Sequence, residues 1–551
     1  MKLNGAQIVI ECLKEQNVKH IFGYPGGANI NIYDELYKSQ EYIQHILTSH
    51  EQGASHAADG YARSKGQVGV CLATSGPGAT NLVTGVATAY MDSVPMVAIT
   101  ANVALDLLGK DAFQEVDIHG ITMPVTKHNF MVKDITKLAD TIREAFYIAK
   151  SGRPGPVLVD IPKNLTVEET EYEFTLPKEY VPISEVEISD EIYNLIENSK
   201  RPMIIAGGGV VRSGANKELV AFSEKIGAQV SSTLMGLGAM PYSHPNNMGN
   251  IGLHGSLVSN RAIDKADLLI VLGARFSNRV VGKESGFAAN AKIVHVDIDP
   301  AEVNKNVVVD ESIHGDIKMV LNKLLQKVNN KSVEAWKTYV DELRATVDFK
   351  VDDSTLNVPY IIKEIAKHCD EDTIVTTDVG QHQMWAAQYY PFEKPNRLLT
   401  SGGLGTMGYG LGAALGAQFA NEEESVIMIT GDGSFRMNFN EIITAVKHQL
   451  PIKIFLMNNS TLGMVRQMQN VFYDNRFAAT TLDQEIDYVA FARSLGGEGF
   501  NIKSLDEVDE TLQKVFACKK LVVCNCVVDQ NANVYPWVTA GKSIFEATTD
   551  Y

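Results

Sequence analysis

Cysteine is scarce in this chain of 551 residues, with only Cys12, Cys71, Cys369, Cys518, Cys524 and Cys526. Six scattered thiols exclude a disulfide framework. Cys524 and Cys526 fall in the apolar run LVVCNCVV, and no second Cys/His pair stands near them in sequence, so they read as core packing in a strand rather than as zinc ligands. Long apolar runs are also missing: no stretch approaches the roughly 18 residues of a membrane-spanning helix. The N-terminus MKLNGAQIVIECLKEQNV reads as an amphipathic helix rather than a targeting peptide, so a cytoplasmic location is expected. Basic charge is in deficit, at 49 Lys plus Arg against 66 Asp plus Glu, a net −17. A balance of that sign gives no overall attraction for nucleic acid or an anionic membrane. Anionic ligands must then be held locally, by helix N-termini, a metal or single Arg and Lys side chains.

What is present is a soluble composition, 45% hydrophobic and 21% charged, able to bury several cores. Runs such as VGVCLATSGPG, RPMIIAGGG, DLLIVLGAR, AKIVHVDIDP, SVIMITGDG and IKIFLMNNS alternate with helical patterns. Buried strands that end in Gly, Asn or Asp predict α/β domains with doubly wound parallel sheets and ligands at the strands' carboxyl ends. Residues 166–190 are acidic without a clean apolar period, and residues 328–357 read as an exposed helix followed by a polar connector. Both suit linkers, leaving domains at 1–165, 191–327 and 358–551. A faint echo joins the outer two, SGPGAT at 75–80 and SGGLGT at 401–406.

The most specific signal is Gly431-Asp432-Gly433, separated by residues 434–457 from Asn458-Asn459. SVIMIT reads as a strand, FNEIITAVKHQ as a helix and IKIFLM as the next parallel strand. A right-handed crossover then brings Asp432 and Asn459 together at adjacent strand ends. One carboxylate and one amide oxygen are an incomplete cage that suits Mg²⁺ sharing its shell with a diphosphate. The competing reading, Asp and Asn as ordinary helix caps, would serve for a lone GDG but not for the spaced pair.

This pattern resembles the motif of thiamine-diphosphate enzymes. The resemblance implies Asp432, Asn459 and the Thr461 carbonyl as metal ligands, with Gly433, Ser434, Gly463 and Met464 beside the cofactor. Such enzymes need a carboxylate to exchange the N1′ proton of the aminopyrimidine. Glu51 in SHEQGASHAADGYAR matches it and would face the partner's Asp432 in a homodimer or tetramer; a charge on a solvated helix face is the alternative. Val379, Gly380, Gln381 and His382 match the diphosphate-side loop, with a satisfied core histidine as the bland reading of His382. Gly405 and Met407 match the segment that wedges the cofactor into its bent shape, although Met is as often core filler.

The likeness runs from IFGYPGGAN at 21–29 to NVYPWVTAG at 533–541, and its pieces are similar to the acetolactate synthase family. It implies an N-terminal pyrimidine-binding domain, a central FAD-binding-like domain and a C-terminal diphosphate- and Mg²⁺-binding domain. Gln114 would contact thiamine diphosphate. Gly27, Ala28, Phe113 and Lys163 would line the substrate pocket, and Arg279 would face the second substrate's carboxylate. A structural, non-redox FAD site would draw on Ser93, Arg153, Gly207, Gly208, Gly209, Thr233, Leu234, Gly252, Leu253, His254, Gly273, Ala274, Arg275, Arg279, Asp297 and Asp316; a vestigial empty site is the alternative. The expected reaction decarboxylates pyruvate and joins the two-carbon unit to a second 2-oxo acid, in branched-chain amino acid biosynthesis, and a small regulatory subunit is admitted. The rivals are a related lyase or carboligase with another acceptor, and an FAD-dependent pyruvate oxidase. Departures from the family pattern fall at Met468 for Trp, Ser277-Asn278 for Asp-Asp, Ala104 for Pro and Asn102 for Gln, all on the acceptor side or pocket mouth.

Overall fold

The computed structural model describes residues 1–181, 186–347, 351–539 and 541–549. Parts of both expected linkers, 182–185 and 348–350, lie outside the described residues. Three six-stranded sheets, parallel throughout, divide the chain into α/β domains. In space the N-terminal sheet runs Gln44–Leu47, His20–Gly23, Gly69–Ala73, Met96–Asn102, Pro156–Pro162, His128–Met131. The C-terminal sheet runs Leu398–Leu399, Ile374–Thr377, Val426–Gly431, Lys453–Asn458, Val522–Val527, Glu498–Ile502. Counted along the chain, both have the strand order 2-1-3-4-6-5. The central sheet runs Asn247–Asn250, Gln229–Ser232, Pro202–Ala206, Leu268–Leu272, Lys292–Asp297, Glu311–His314, the order 3-2-1-4-5-6.

In each order the chain leaves to one side of its first strand and returns to the other, and the crevice at that reversal is where doubly wound sheets bind ligands. In the C-terminal sheet the reversal lies between Ile374–Thr377 and Val426–Gly431, so the loops at 378–382 and 431–433 flank it. In the central sheet it lies between Pro202–Ala206 and Leu268–Leu272, flanked by Gly207–Gly209 and Gly273–Arg275.

The two like sheets share one core. Helix Glu51–Lys65 packs along helix Tyr409–Ala420, which is buried over its whole length. The approach needs glycine: a Cβ on Gly60 would fall 2.2 Å from the Ala413 carbonyl oxygen, and one on Gly416 would fall 1.8 Å from that of Ala57. These helices follow the second strand of each sheet and are therefore equivalents. The SGPGAT and SGGLGT echo is not: the first follows a third strand and the second a second strand, so SGPG corresponds to the GDG turn.

Three expectations need adjusting. Residues 166–190 contain the strand Glu169–Glu171, which pairs antiparallel with Lys2–Asn4. The helix expected in 328–357 exists as Glu334–Val347, but it buries Trp336 and Val340 in the central domain's second core, and Trp336 Nε1 donates to the Pro202 carbonyl at 3.0 Å. The single helix expected over FNEIITAVKHQ is two pieces, a 3₁₀ turn Phe439–Glu441 and Ile442–Lys447, and a further helix, Asp432–Asn438, precedes it. Asn438 leaves helical geometry there, and its Nδ2 donates to the Gly408 carbonyl at 2.8 Å. No helix among the described residues is long and apolar enough to cross a membrane.

Candidate active site

The Val426–Gly431 and Lys453–Asn458 strands pair in parallel, with Gly431 opposite Met457, so Asp432 and Asn459 emerge side by side. The Asn459 backbone N–H donates to the Asp432 carboxylate. Asp432 is 1% exposed, and burial pushes its carboxyl up to about 6, a rise that Arg436 opposes. Its Oδ2 has no hydrogen-bond partner among the described residues. A buried carboxylate oxygen left unsatisfied is costly, and a cation is the natural complement. Asn459 Oδ1 accepts the Thr461 N–H at 3.2 Å, and its Nδ2 donates to Gln381 Oε1 at 3.2 Å. Among the described residues no group of three His, Cys, Asp or Glu side chains could hold a metal alone. One carboxylate with an amide and a backbone carbonyl fits a hard cation whose shell is completed by phosphate oxygens and water.

The neighbouring loops close around this point. His382 is buried with its ring against Gly431; burial holds its imidazole down to about 3, and Nε2 has no partner among the described residues. The ring is hydrogen-bonded to the Asp378 backbone, which leaves Nε2 as its open nitrogen. Gln381 Nε2 donates to the Ala532 carbonyl at 2.7 Å, and Gly463 sits against Gln381 Oε1. Ser434 Oγ accepts the Gly408 N–H at 3.1 Å, which ties the GDG turn to the Gly405–Met407 segment, and Val379 packs beside Gly405. Met464 is half-buried on the C-terminal core. Asp378 escaped the sequence reading. It is fully buried, accepts the Thr430 hydroxyl at 2.6 Å and the Gly410 N–H at 2.7 Å, and holds the two strand ends in register; its place directly after the strand TIVTT was the available signal.

In the N-terminal sheet Gly27, Glu51, Gln114 and Lys163 all follow the carboxyl ends of their strands. Glu51 opens the helix Glu51–Lys65 at 9% exposure, which rules out a solvated helix face, and Asn81 Nδ2 donates to its Oε2 at 3.0 Å. Gln114 packs on Gly76 with φ of 60°, Ala28 is buried, Gly27 has open space around it, and Lys163 and Phe113 are exposed, Phe113 at 89%. Of the departures, Ala104, Ser277, Asn278 and Met468 retain some exposure. Asn102 does not: it is 1% exposed and its Nδ2 donates to buried Asp160 at 2.7 Å, so it supports the sheet instead of lining the pocket mouth.

The central residues also cluster at strand ends. Gly207 and Gly209 donate to the carbonyls of Leu272 and Gly273 at 2.9 and 3.0 Å, and a Cβ on Gly207 would fall 2.1 Å from the Gly273 oxygen. These glycines serve the packing of the two loops at the reversal as well as any ligand. Ala274 is buried and Arg275 half-buried, and Thr233 donates its N–H to Ala206 ahead of the turn at Leu234. Leu253 donates to the Arg279 carbonyl at 2.8 Å, Gly252 packs on that oxygen, and the Arg279 residue is exposed. His254 is buried, held down to about 4 by burial, and its Nε2 has no partner among the described residues. Arg153 Nε donates to Ser93 Oγ at 2.8 Å, joining two expected site residues, but its guanidinium already pairs with Asp299 and Glu302. Asp297 accepts the Asp299 N–H, and Asp316 caps the helix Ile317–Lys327. The reversal point, the glycine loops and the unpartnered His254 nitrogen fit a dinucleotide.

Two like sheets meeting through paired helices, an unpartnered Asp432 oxygen beside Asn459 at a strand-end crevice and a buried carboxylate opening a helix fit the class of diphosphate-cofactor enzymes. Family comparison agrees: residues 3–121 match the thiamine pyrophosphate enzyme N-terminal TPP binding domain, 189–324 the central domain and 378–526 the C-terminal TPP binding domain. The acetolactate synthase large subunit of Corynebacterium glutamicum is 45% identical, covering 98% of this chain and 89% of its own length. The large subunit of Cyanidium caldarium is 44% identical (98% and 95%), and isozyme 2 of Escherichia coli 42% (98% and 98%). The chain belongs to the thiamine pyrophosphate enzymes, within the family of acetolactate synthase large subunits.

Proposed function

We propose that the chain is the catalytic subunit of an acetolactate-forming carboligase, with pyruvate as donor and pyruvate or 2-oxobutyrate as acceptor. The observation that carries this reading is the unpartnered Asp432 oxygen beside Asn459 at the reversal of the C-terminal sheet. Asp432, Asn459 and the Thr461 carbonyl would hold Mg²⁺, and His382, Gln381 and Ser434 would line the diphosphate. Thiamine diphosphate, when bound, supplies the electron sink by which a 2-oxo acid loses CO₂ and passes its two-carbon remainder to a second 2-oxo acid. Glu51 would hold and exchange the proton at N1′, with Asn81 fixing its second oxygen. Met407 would support the bent cofactor. Phe113, Gln114, Lys163 and the open backbone at Gly27 would line the donor pocket, and Arg279 would attract the acceptor's carboxylate.

The exposure of Phe113 and of Leu404 supports a homodimer or tetramer in which a second copy covers these surfaces. FAD at the central reversal, a small regulatory subunit and a cytoplasmic location complete the proposal. The proposed domain limits are 1–165, 191–327 and 358–551, with strand Glu169–Glu171 joined to the first and helix Glu334–Val347 to the second.

The flavin has no redox part in this reaction, because no hydride is transferred. Under anaerobic conditions pyruvate should therefore leave the FAD absorbance of the holoenzyme intact while product accumulates. Bleaching at the rate of turnover would identify a pyruvate oxidase instead.

A further inference from the structure

Glu441 has no part in the reaction as described, yet it is wholly buried between the GDG unit and the helix that carries Glu51. The break in the helix at Asn438 turns it towards the N-terminal domain. Its Oε1 accepts the N–H groups of Ser49 and His50, each at 3.0 Å. Its Oε2 accepts the Ser49 N–H at 3.1 Å and the Thr444 hydroxyl at 2.6 Å. Ser49 Oγ donates in turn to the Asn440 carbonyl at 3.1 Å. Burial pushes the Glu441 carboxyl upward, and these donors, with His50, oppose the rise.

Ser49 and His50 are the two residues ahead of helix Glu51–Lys65, where N–H groups have no partner within the helix. A carboxylate on them makes charge-assisted hydrogen bonds and complements the helix dipole. His50 is the N-cap and its ring accepts the Gln52 N–H at 3.0 Å. Gly53 lies so close that a Cβ there would fall 2.2 Å from Glu441 Oε1. The first turn is thus gripped from below by Glu441, while Asn81 holds the Glu51 carboxylate from the side.

We propose that Glu441 is a positioning residue: it fixes the height and rotation of the first turn, and through it the place of the Glu51 carboxylate. The inference rests on the reading of Glu51 as the group that exchanges the N1′ proton. Glutamine at 441 keeps the size but turns an NH₂ towards backbone donors, so the grip is lost on one side.

The test compares Glu441→Gln, Glu441→Asp and Glu51→Gln in the full-length protein. Cofactor-free chains are followed by amide hydrogen exchange of residues 49–55. Chains loaded with Mg²⁺ and thiamine diphosphate are followed by cofactor affinity and by NMR of C2 proton exchange. Glu441→Gln should lose protection at 49–55 and slow C2 exchange by about 10- to 100-fold, as expected for a misplaced catalytic group, with cofactor affinity unchanged. Glu441→Asp should fall between it and the wild type. Wild-type C2 exchange in both Glu441 variants, with Glu51→Gln slow, overturns the inference and leaves the Glu51 reading standing. Wild-type exchange in Glu51→Gln overturns that reading itself. A parallel loss of affinity and exchange would show general disruption and also overturns the positioning role. If Glu441→Gln does not fold, Glu441→Asp decides alone: slowed exchange at unchanged affinity supports the role, and wild-type exchange overturns it.

Discussion

Asp432 is the residue at which the fold yields stability to function. Its carboxyl is raised from 3.8 to about 6 by burial, so ionising it in the metal-free chain opposes folding. The penalty is present in full above the folded value, shrinks as pH falls from about 6, and vanishes below the unfolded value near 4. Asp432→Asn should therefore stabilise the metal-free protein at pH 7–8 by about 1–3 kcal/mol and have no such effect at pH 4, while weakening Mg²⁺–diphosphate binding. Denaturant melts of both proteins with and without Mg²⁺ and cofactor measure this. A less stable metal-free variant at neutral pH would contradict it. At this scale the sequence was legible where a motif spaced its residues: Asp432, Asn459 and His382 meet at one strand-end crevice. It was illegible where contacts join distant segments. Asp378, Glu441 and the burial of Asn102 on Asp160 depend on partners that no local pattern names.

Elements whose signal is local were read correctly in kind, and their destinations were not. The strand runs and the helix Gly5–Glu15, with its Asn4–Gln7 capping box, follow from alternation and cap chemistry. Helix Glu334–Val347 looked exposed because its charged and polar positions are spread along it, yet buried Trp336 and Val340, one turn apart, with half-buried Tyr339, Leu343 and Val347 beside them, seat it on the central core. Trp336→Ala should remove that seat and strand the Pro202 carbonyl, at a local cost of about 3–5 kcal/mol. Amide exchange should accelerate across Leu268–Leu272 of the central sheet and stay unchanged in Val426–Gly431, with thiamine diphosphate affinity retained. Equal loss of protection in both sheets would show that the helix belongs to the whole molecule rather than to the central domain.

For the whole molecule, composition and strand punctuation sufficed to indicate three parallel α/β domains, but not their strand orders. Order is set by which face each right-handed crossover covers, and no local residue pattern names that face. The outer domains share one order, and helices Glu51–Lys65 and Tyr409–Ala420 occupy equivalent places in them and pack on each other; the textual echo of SGPGAT and SGGLGT missed that equivalence by one strand. The same arrangement puts Glu51 and Asp432 on different domains, so the proposed proton exchange and cation binding draw on both outer sheets. The central claim is that this assembly makes acetohydroxy acids. Its most direct test is product analysis of the purified chain with Mg²⁺, thiamine diphosphate and FAD, given pyruvate alone and then pyruvate with 2-oxobutyrate. The account predicts 2-acetolactate in the first case. In the second it predicts a mixture with 2-aceto-2-hydroxybutyrate showing little preference, since the flexible Met468 discriminates one methylene weakly. Acetaldehyde or acetate as the sole product, or no consumption of pyruvate, would contradict it.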